Sequence, residues 1–152
     1  MPKVKKQPKQ ISNRRAQFDY SIKDTLIVGV ELSGAETKAV RNSHASLRGA
    51  YVNILNNELW LINATISGSS AAPISDSDQT RSRKLLAKRK EIEVLARAKT
   101  EGSSIVPLAI LNGGRYIKLK IAIGVGKKLY DKRAVLKTRD ENRRIHNYSH
   151  RS

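Results

Sequence analysis

Cysteine is absent from the 152-residue chain, which excludes disulfides, thiolate metal sites and a cysteine nucleophile. No apolar run approaches the roughly 20 residues that cross a bilayer as a helix. The start of the chain is basic but lacks the apolar stretch of a signal peptide, so a cytoplasmic protein is expected. Neither end carries a basic amphipathic helix with large apolar anchors, and no membrane partner is expected. Hydrophobic residues are 39% of the total, enough for a modest core but low for a chain folded from end to end. They cluster between about 25 and 125, where the core should lie. No internal repeat is present.

Acid is missing from two stretches altogether. Residues 1–15 carry six Lys/Arg and residues 81–90 carry six more, with no Asp or Glu in either. Residues 127–152 hold nine bases against three acids, whereas residues 16–79 hold four bases and seven acids. A net charge of +17 is self-repulsive in a free protein, and a polyanion would neutralise it. Chains of this kind release counterions from nucleic acid on binding. The segregation suggests a folded body with basic arms, a layout that an enzyme with a buried site would not require.

Residues 1–12 are Lys, Gln and Pro with little to bury, and read as a disordered basic arm. Leu26, Val28, Val30 and Leu32 alternate with Ile27, Gly29 and Glu31, the period of a strand. Gly34 stops it, and residues 35–42 have a short helical pattern. Residues 50–55 and 58–66 are β-rich runs turned at Asn56-Asn57. Residues 67–78 read as a loop, with Asp78 or Thr80 able to cap a helix beyond it. Residues 79–98 read as the clearest helix, with Leu85, Ile92, Leu95 and Ala96 facing the core. Arg83, Leu86, Lys90 and Arg97 recur at spacings of three, four and seven on another face. A hairpin over 104–111 and 115–123 turns at Asn112-Gly113-Gly114. On its second strand Ile117, Leu119, Ile121 and Ile123 point one way, and Tyr116, Lys118 and Lys120 the other. Pro107 marks an edge or a bulge, because it cannot donate to a ladder.

About five short strands with an inserted helix suggest a mainly β protein: a small oligonucleotide-binding-type barrel, closed or partly open, with inserted and flanking helices and a basic C-terminal tail. The domain division is a disordered basic arm over 1–12, an RNA-binding barrel over 13–125 and a basic tail over 126–152, expected to be disordered when free and able to become helical on the ribosome. A ferredoxin-like sheet would need helices more evenly interleaved with strands.

Each candidate for chemistry has a plainer reading beside it. Tyr116, Lys118 and Lys120 can hold a stacked base and its phosphates, or form the solvated face of a half-buried strand. Arg81, Arg83, Lys84, Leu86, Lys90 and Arg97 can track a phosphate backbone, or form a solvated helix face. Arg89 and Glu93 can pair, but Lys84 and Lys88 repel at helical spacing, which favours binding. The run Gly124-Val125-Gly126-Lys127-Lys128 comes after a strand but lacks the spacing of a phosphate loop, and reads as an exit into the tail. His44, His146 and His150 lack metal-ligand spacing. Glu31 and Glu36 can be drawn as an acid/base pair, though salt bridges to Lys38 and Arg41 are the stronger reading. No nucleophile–base–orienter set is present, and neither catalysis nor a cofactor is expected. In the tail, Arg133, Lys137 and Arg144, with Leu136 and Arg143 on a neighbouring row, fall at helical spacings. Too little apolar surface accompanies them for folding alone, but the segment can order along RNA.

Several motifs occur in order over about residues 13 to 144: Asn13-Arg14-Arg15-Ala16 with Asp19-Tyr20; Gly29-x-x-Leu32-x-Gly34-x-Glu36-x-Lys38 ending in Arg41; Arg81-x-Arg83-Lys84-Leu85-Leu86 running into Glu91-Ile92; Val106-Pro107-Leu108; Gly126-Lys127-Lys128-x-Tyr130-Asp131-Lys132-Arg133; and Lys137-x-Arg139-Asp140. With these the chain resembles the small protein B family, the transfer-messenger RNA-binding proteins of bacterial trans-translation. The resemblance implies an oligonucleotide-binding barrel that grips the transfer-like part of the RNA. It implies that Leu86 and its neighbours on the inserted helix lie near the RNA. Lys127 and Lys128 are also counted among the candidate RNA-binding residues. It implies that Tyr130, Asp131, Lys132 and Arg133, followed by Lys137 and Arg139, act at the decoding centre of a stalled ribosome, where Tyr130 can stack on a base. The chain departs from the family pattern at Ile27, over 75–80, at Val125 and at Glu141. The expected function is a non-catalytic adaptor that delivers transfer-messenger RNA to stalled ribosomes. A ribosomal structural protein with a small body and basic arms is the rival, and an RNA-modifying enzyme or nuclease a distant third.

Overall fold

The computed structural model describes residues 10–127. In chain order the elements are β1 (Gln10–Ser12), α1 (Arg14–Asp19), β2 (Tyr20–Val30), α2 (Gly34–Arg41), β3 (Ala45–Ser46), β4 (Tyr51–Leu55), β5 (Glu58–Ile62), β6 (Thr65–Ile66), α3 (Asp76–Gln79), β7 (Arg83–Leu86), α4 (Arg89–Thr100), β8 (Ser104–Leu111) and β9 (Lys118–Gly126). Seven strands form one sheet in the order β1-β8-β9-β2-β7-β5-β4, and β3 pairs with β6 separately. Every pairing is antiparallel. The sheet curls until β4 comes against β8. No ladder joins those two strands among the described residues, so hydrogen bonds do not close the sheet into a ring.

The expected alternations sort the core. Leu119 and Ile121 are fully buried on β9, Val28 on β2, and Leu59 and Leu61 on β5. Leu95 of α4 plugs the same cluster, and Ala39 and Val40 of α2 close it elsewhere. The turn at Asn56-Asn57 takes left-handed φ values of 52° and 61°, which Asn tolerates and a two-residue hairpin turn requires. Ser33 and Glu36 form a reciprocal cap: the Ser33 Oγ accepts from the Glu36 N–H at 3.2 Å, and Glu36 Oε1 accepts from the Ser33 N–H at 2.9 Å. Pro107 sits beside a register shift in the β8–β9 ladder, so the bulge and not the edge was the correct alternative.

Four expectations need correction. Residues 10–12 do not belong to a disordered arm: they pair with Ala109–Leu111 of β8, and the Asn13 N–H continues the attachment onto the Leu108 carbonyl at 2.7 Å. Residues 79–98 are not one helix. The chain is extended over Arg83–Leu86, and the helix begins only at Arg89, where the Glu91 side chain accepts from the Lys88 N–H at 2.8 Å. Neither Asp78 nor Thr80 caps it. The β8–β9 connection is also longer than a tight turn at Asn112–Gly114, because β9 starts at Lys118.

Candidate nucleic-acid interface

Extended geometry over 83–86 decides which side chains face out. Alternation turns Arg83 and Leu85 inward and leaves Leu86 exposed, with Lys84 partly exposed. Arg83 is therefore withdrawn from the predicted binding set, because its side chain is 0% accessible. Its five guanidinium bonds are all internal. Nε donates to Glu36 Oε2 at 2.6 Å, and the terminal nitrogens reach the carbonyls of Ala64, Arg81, Asp78 and Gln79 at 2.8–3.1 Å. Arg81 also turns back onto Glu36, donating through Nε at 3.1 Å and through a second nitrogen to Oε1. Burial on its own pushes the Glu36 carboxyl upward. The hydrogen bonds from Arg81, the Ser33 backbone and Arg83 outweigh it and lower the pKa from 4.5 to about 2. Burial pulls the Arg83 guanidinium downward, against the opposing pull of Glu36. Glu36 thus pairs with Arg81 and Arg83, not with Lys38 or Arg41, and is not half of an acid/base pair.

Arg41 has a different task. Its guanidinium donates to the carbonyls of Asn112 at 2.9 Å and Arg115 at 2.7 Å, and also to that of Gly114. Asn112 Nδ2 returns a bond to the Val40 carbonyl at 2.7 Å. The C-terminal end of α2 therefore holds the β8–β9 loop, which presents Arg115 and Tyr116. Tyr116 is 68% exposed, and the Arg115 guanidinium lies 5.5 Å from its ring centroid.

Beside that loop lies the outer face of the sheet. Gly29 pairs with Lys118 on one side and Leu86 on the other, and Ile27 pairs with Lys120. Trp60 pairs with Lys84. Directly opposed residues share a face, so Lys118, Lys120, Ile27, Leu86, Lys84 and Trp60 are arrayed across four neighbouring strands. Ile27 and Leu86 are each more than half exposed. A Cβ on Gly29 would stand 3.2 Å from that of Leu86, so glycine gives Leu86 room to lie over β2. Leu86 separates two hollows. One, of about 370 Å³, is bordered by Arg41, Arg115, Tyr116 and Lys118. The other, of about 690 Å³, is bordered by Ile27, Lys84, Lys88 and Ile92. Trp60, Arg81 and Lys84 line a third. Apolar and aromatic surface interleaved with ammonium and guanidinium groups suits stacked bases and their phosphates.

The other predicted residues distribute unevenly. Lys90 and Arg97 are exposed on α4, and Arg89 pairs with Glu93 at 3.6 Å as expected. Lys84 approaches Glu58 at 3.3 Å instead of confronting Lys88. Lys127 lies roughly 30 Å along the strand from Lys118. Its N–H donates to the Asp19 carbonyl at 2.9 Å and its Nζ to the Gln17 carbonyl at 3.3 Å, so it fastens the exit of β9 to α1. Lys128, Tyr130, Asp131, Lys132, Arg133, Lys137 and Arg139 lie outside the described residues, as do His146 and His150. Sequence reasoning missed Trp60, Ile27 and Arg115. The lone tryptophan, on the second strand of the Asn56-Asn57 hairpin, was the available signal, but setting it beside Lys84 needed the β5–β7 register. Among the described residues no group of His, Asp or Glu is placed to hold a metal, and no helix is long and apolar enough to cross a membrane.

The family model described as "SmpB protein" matches residues 10–151. An SsrA-binding protein of Protochlamydia amoebophila is 44% identical over 137 residues, 89% of each chain. One of Paracoccus denitrificans is 43% identical, over 86% of this chain and 85% of its own. A solved structure described as "tmRNA-SmpB: a journey to the center of the bacterial ribosome" superposes with a TM-score of 0.63 at 31% identity, over 79% of this chain and 85% of the other. A match running from the first strand through almost the whole tail, joined to identities above 40% over most of the length, shows that this chain belongs to the SmpB protein family.

Proposed function

We propose that the protein is an RNA-binding adaptor that binds transfer-messenger RNA and delivers it to stalled ribosomes for rescue by trans-translation. Family membership supports this, as does the solved relative described with transfer-messenger RNA and the ribosome. The observation that carries it to particular residues is the outer sheet face. There Tyr116, Leu86 and Trp60 alternate with Arg115, Lys118, Lys120 and Lys84, a surface on which bases stack while cations meet phosphates.

In this reading the curled sheet is an oligonucleotide-binding-type barrel whose ring is left open between β4 and β8. The body over 13–125 grips RNA, helped by Lys90 and Arg97 of α4. The basic segments before and after it add affinity without sequence preference. Tyr130, Asp131, Lys132 and Arg133, with Lys137 and Arg139, act at the decoding centre. The adaptor is non-catalytic and works in the bacterial cytoplasm. Glu36, the most buried carboxylate among the described residues, serves to hold Arg81 and Arg83 in place.

The test separates gripping from rescue. A chain ending after Lys127 keeps every described element, and should bind transfer-messenger RNA with some loss of non-specific affinity. It should fail to support tagging of nascent chains on ribosomes stalled without a stop codon. Equal rescue by the truncated and full chains would refute the assigned tail role. Sequencing of co-purifying RNA distinguishes the adaptor from a ribosomal structural protein, which would bring down ribosomal RNA from all ribosomes alike.

A further inference from the structure

The outer sheet face carries one acid that phosphate binding does not explain. Glu58 and Trp60 are two residues apart on β5, so both project to that face, about 7 Å apart along the strand. Lys84 lies opposite Trp60 on β7, and its Nζ stands 3.3 Å from Glu58 Oε1. The three border a hollow of about 550 Å³ at the β5 end of the platform, beside Glu31 and Arg81. The Glu58 side chain is 44% exposed. Among the described residues Lys84 is its one hydrogen-bonding partner, which leaves Oε2 open.

A carboxylate on such a surface repels phosphate, in a chain where 30 bases against 13 acids otherwise favour it. Its neighbours suggest what it does instead. The Trp60 ring offers a plane on which an unpaired base can stack. An ionised carboxylate only accepts hydrogen bonds, and its two oxygens can take a parallel pair of donors. The Lys84 ammonium adds a donor directly beside them. A base lying on Trp60 therefore meets two acceptors and then a donor. Guanine matches that order along its Watson–Crick edge, with the N2 amino group, N1–H and the O6 carbonyl. Adenine, cytosine and uracil each bring a single donor group to that edge, and cannot fill both carboxylate oxygens side by side.

We propose that this corner of the platform reads one unpaired guanine, which stacks on Trp60, donates from N1 and N2 to the Glu58 carboxylate and accepts at O6 from Lys84. The inference rests on the outer sheet face being the RNA site, and deepens it by making Glu58 a determinant of specificity. It also fixes a sign. Glu58 strengthens binding of RNA that presents the guanine and weakens binding of RNA that does not, because there its charge faces phosphate uncompensated.

Analogue interference on transfer-messenger RNA tests every guanine at once. Inosine, which lacks the N2 amino group, is scattered over the guanine positions with a cleavable phosphorothioate marking each. In the fraction bound by the full-length wild type, inosine should be depleted about tenfold at an unpaired guanine. Glu58→Gln should bind the unmodified RNA about tenfold more weakly, and the depletion at that guanine should vanish. Against oligouridine, which has no guanine, the same variant should bind as tightly as wild type or more so. If Glu58 merely positions Lys84, the variant weakens both RNAs alike and leaves the depletion pattern unchanged, and either result overturns the proposal. Leu86→Ala separates this inference from the reading beneath it. Unchanged binding by that variant removes RNA from the outer face and the proposal with it. Weakened binding, with no depletion at any unpaired guanine in wild type, keeps the face and refutes the guanine site.

Discussion

Replacing Glu36 by Gln tests the central knot of the fold. The side chain is 2% accessible and meets two guanidinium groups, yet its pKa is held at about 2 in place of 4.5. A depressed carboxyl favours the folded state by about 3 kcal/mol at neutral pH, since each tenfold change in proton affinity is about 1.4 kcal/mol. The folded pKa lies below the unfolded one. This stabilisation is therefore fully present above about pH 4.5 and disappears as the pH falls towards 2. Glu36→Gln keeps the shape but turns an amide nitrogen towards a guanidinium N–H. Urea unfolding followed by the single tryptophan, Trp60, should show the variant weaker by about 3 kcal/mol near pH 7. The gap between the two proteins should close through the acid range, because wild type loses what the variant never had. In a domain whose net stability is roughly 5–15 kcal/mol, the neutral-pH loss is easily measured. A gap that stays constant with pH would show that Glu36 is not the titrating partner. A gap under about 1 kcal/mol at neutral pH would show that the pair is as weak as a surface bridge.

Other substitutions separate core from interface. Leu119 is fully buried between β2 and β8, and Leu119→Ala should cost about 2–5 kcal/mol of stability in the same unfolding assay; a loss well under ~1 kcal/mol would place β9 the wrong way round. Tyr116→Ala and Trp60→Ala should each weaken RNA binding by roughly 1–3 kcal/mol while the circular dichroism spectrum stays native. Wild-type binding should fall steeply with rising salt, and a flat dependence would remove the phosphate contacts from the outer face. Arg83→Ala behaves differently from Lys90→Ala or Arg97→Ala: it takes one of two guanidinium partners from a buried carboxylate, leaves the carbonyls of Ala64, Asp78 and Gln79 without its bonds and empties a filled site, so its chief effect should be loss of about 3–5 kcal/mol of stability in the same unfolding assay.

Legibility of the fold followed the range of the forces involved. Val28, Leu119 and Ile121 fell on the buried faces read from simple alternation, because a half-buried strand writes its period into the residues it carries. The β5 hairpin was legible from Asn56-Asn57, whose left-handed φ values are a local property of the turn. The first strand was not legible. Gln10–Ser12 has no apolar pattern to speak of, and it is ordered by β8, about a hundred residues away in the chain. Curling of the sheet was equally hidden, since the approach of β4 to β8 is a sum of twists along seven strands rather than a property of any one.

The error at 79–98 has one cause. Arg83, Leu86, Lys90 and Arg97 satisfy helical spacing, and the stretch contains good helix formers throughout. What keeps Arg83–Leu86 extended is a place between β2 and β5, where Leu85 enters the core and Arg83 meets Glu36. Neither partner is near in sequence, so no local propensity could report the conflict. The same switch redraws the candidate interface. As helix, the basic block would have offered Arg83, Leu86, Lys90 and Arg97 as one cationic face. As strand and then helix, it spends Arg83 inside and turns Arg81 back onto Glu36. Lys84 and Leu86 remain on the face that already carries Lys118, Lys120 and Ile27. Two of the block's six cations thus build the platform, and the apolar Leu86 occupies its centre. Charge density alone would have ranked these residues in the opposite order, with the buried arginine beside the exposed ones and the leucine last.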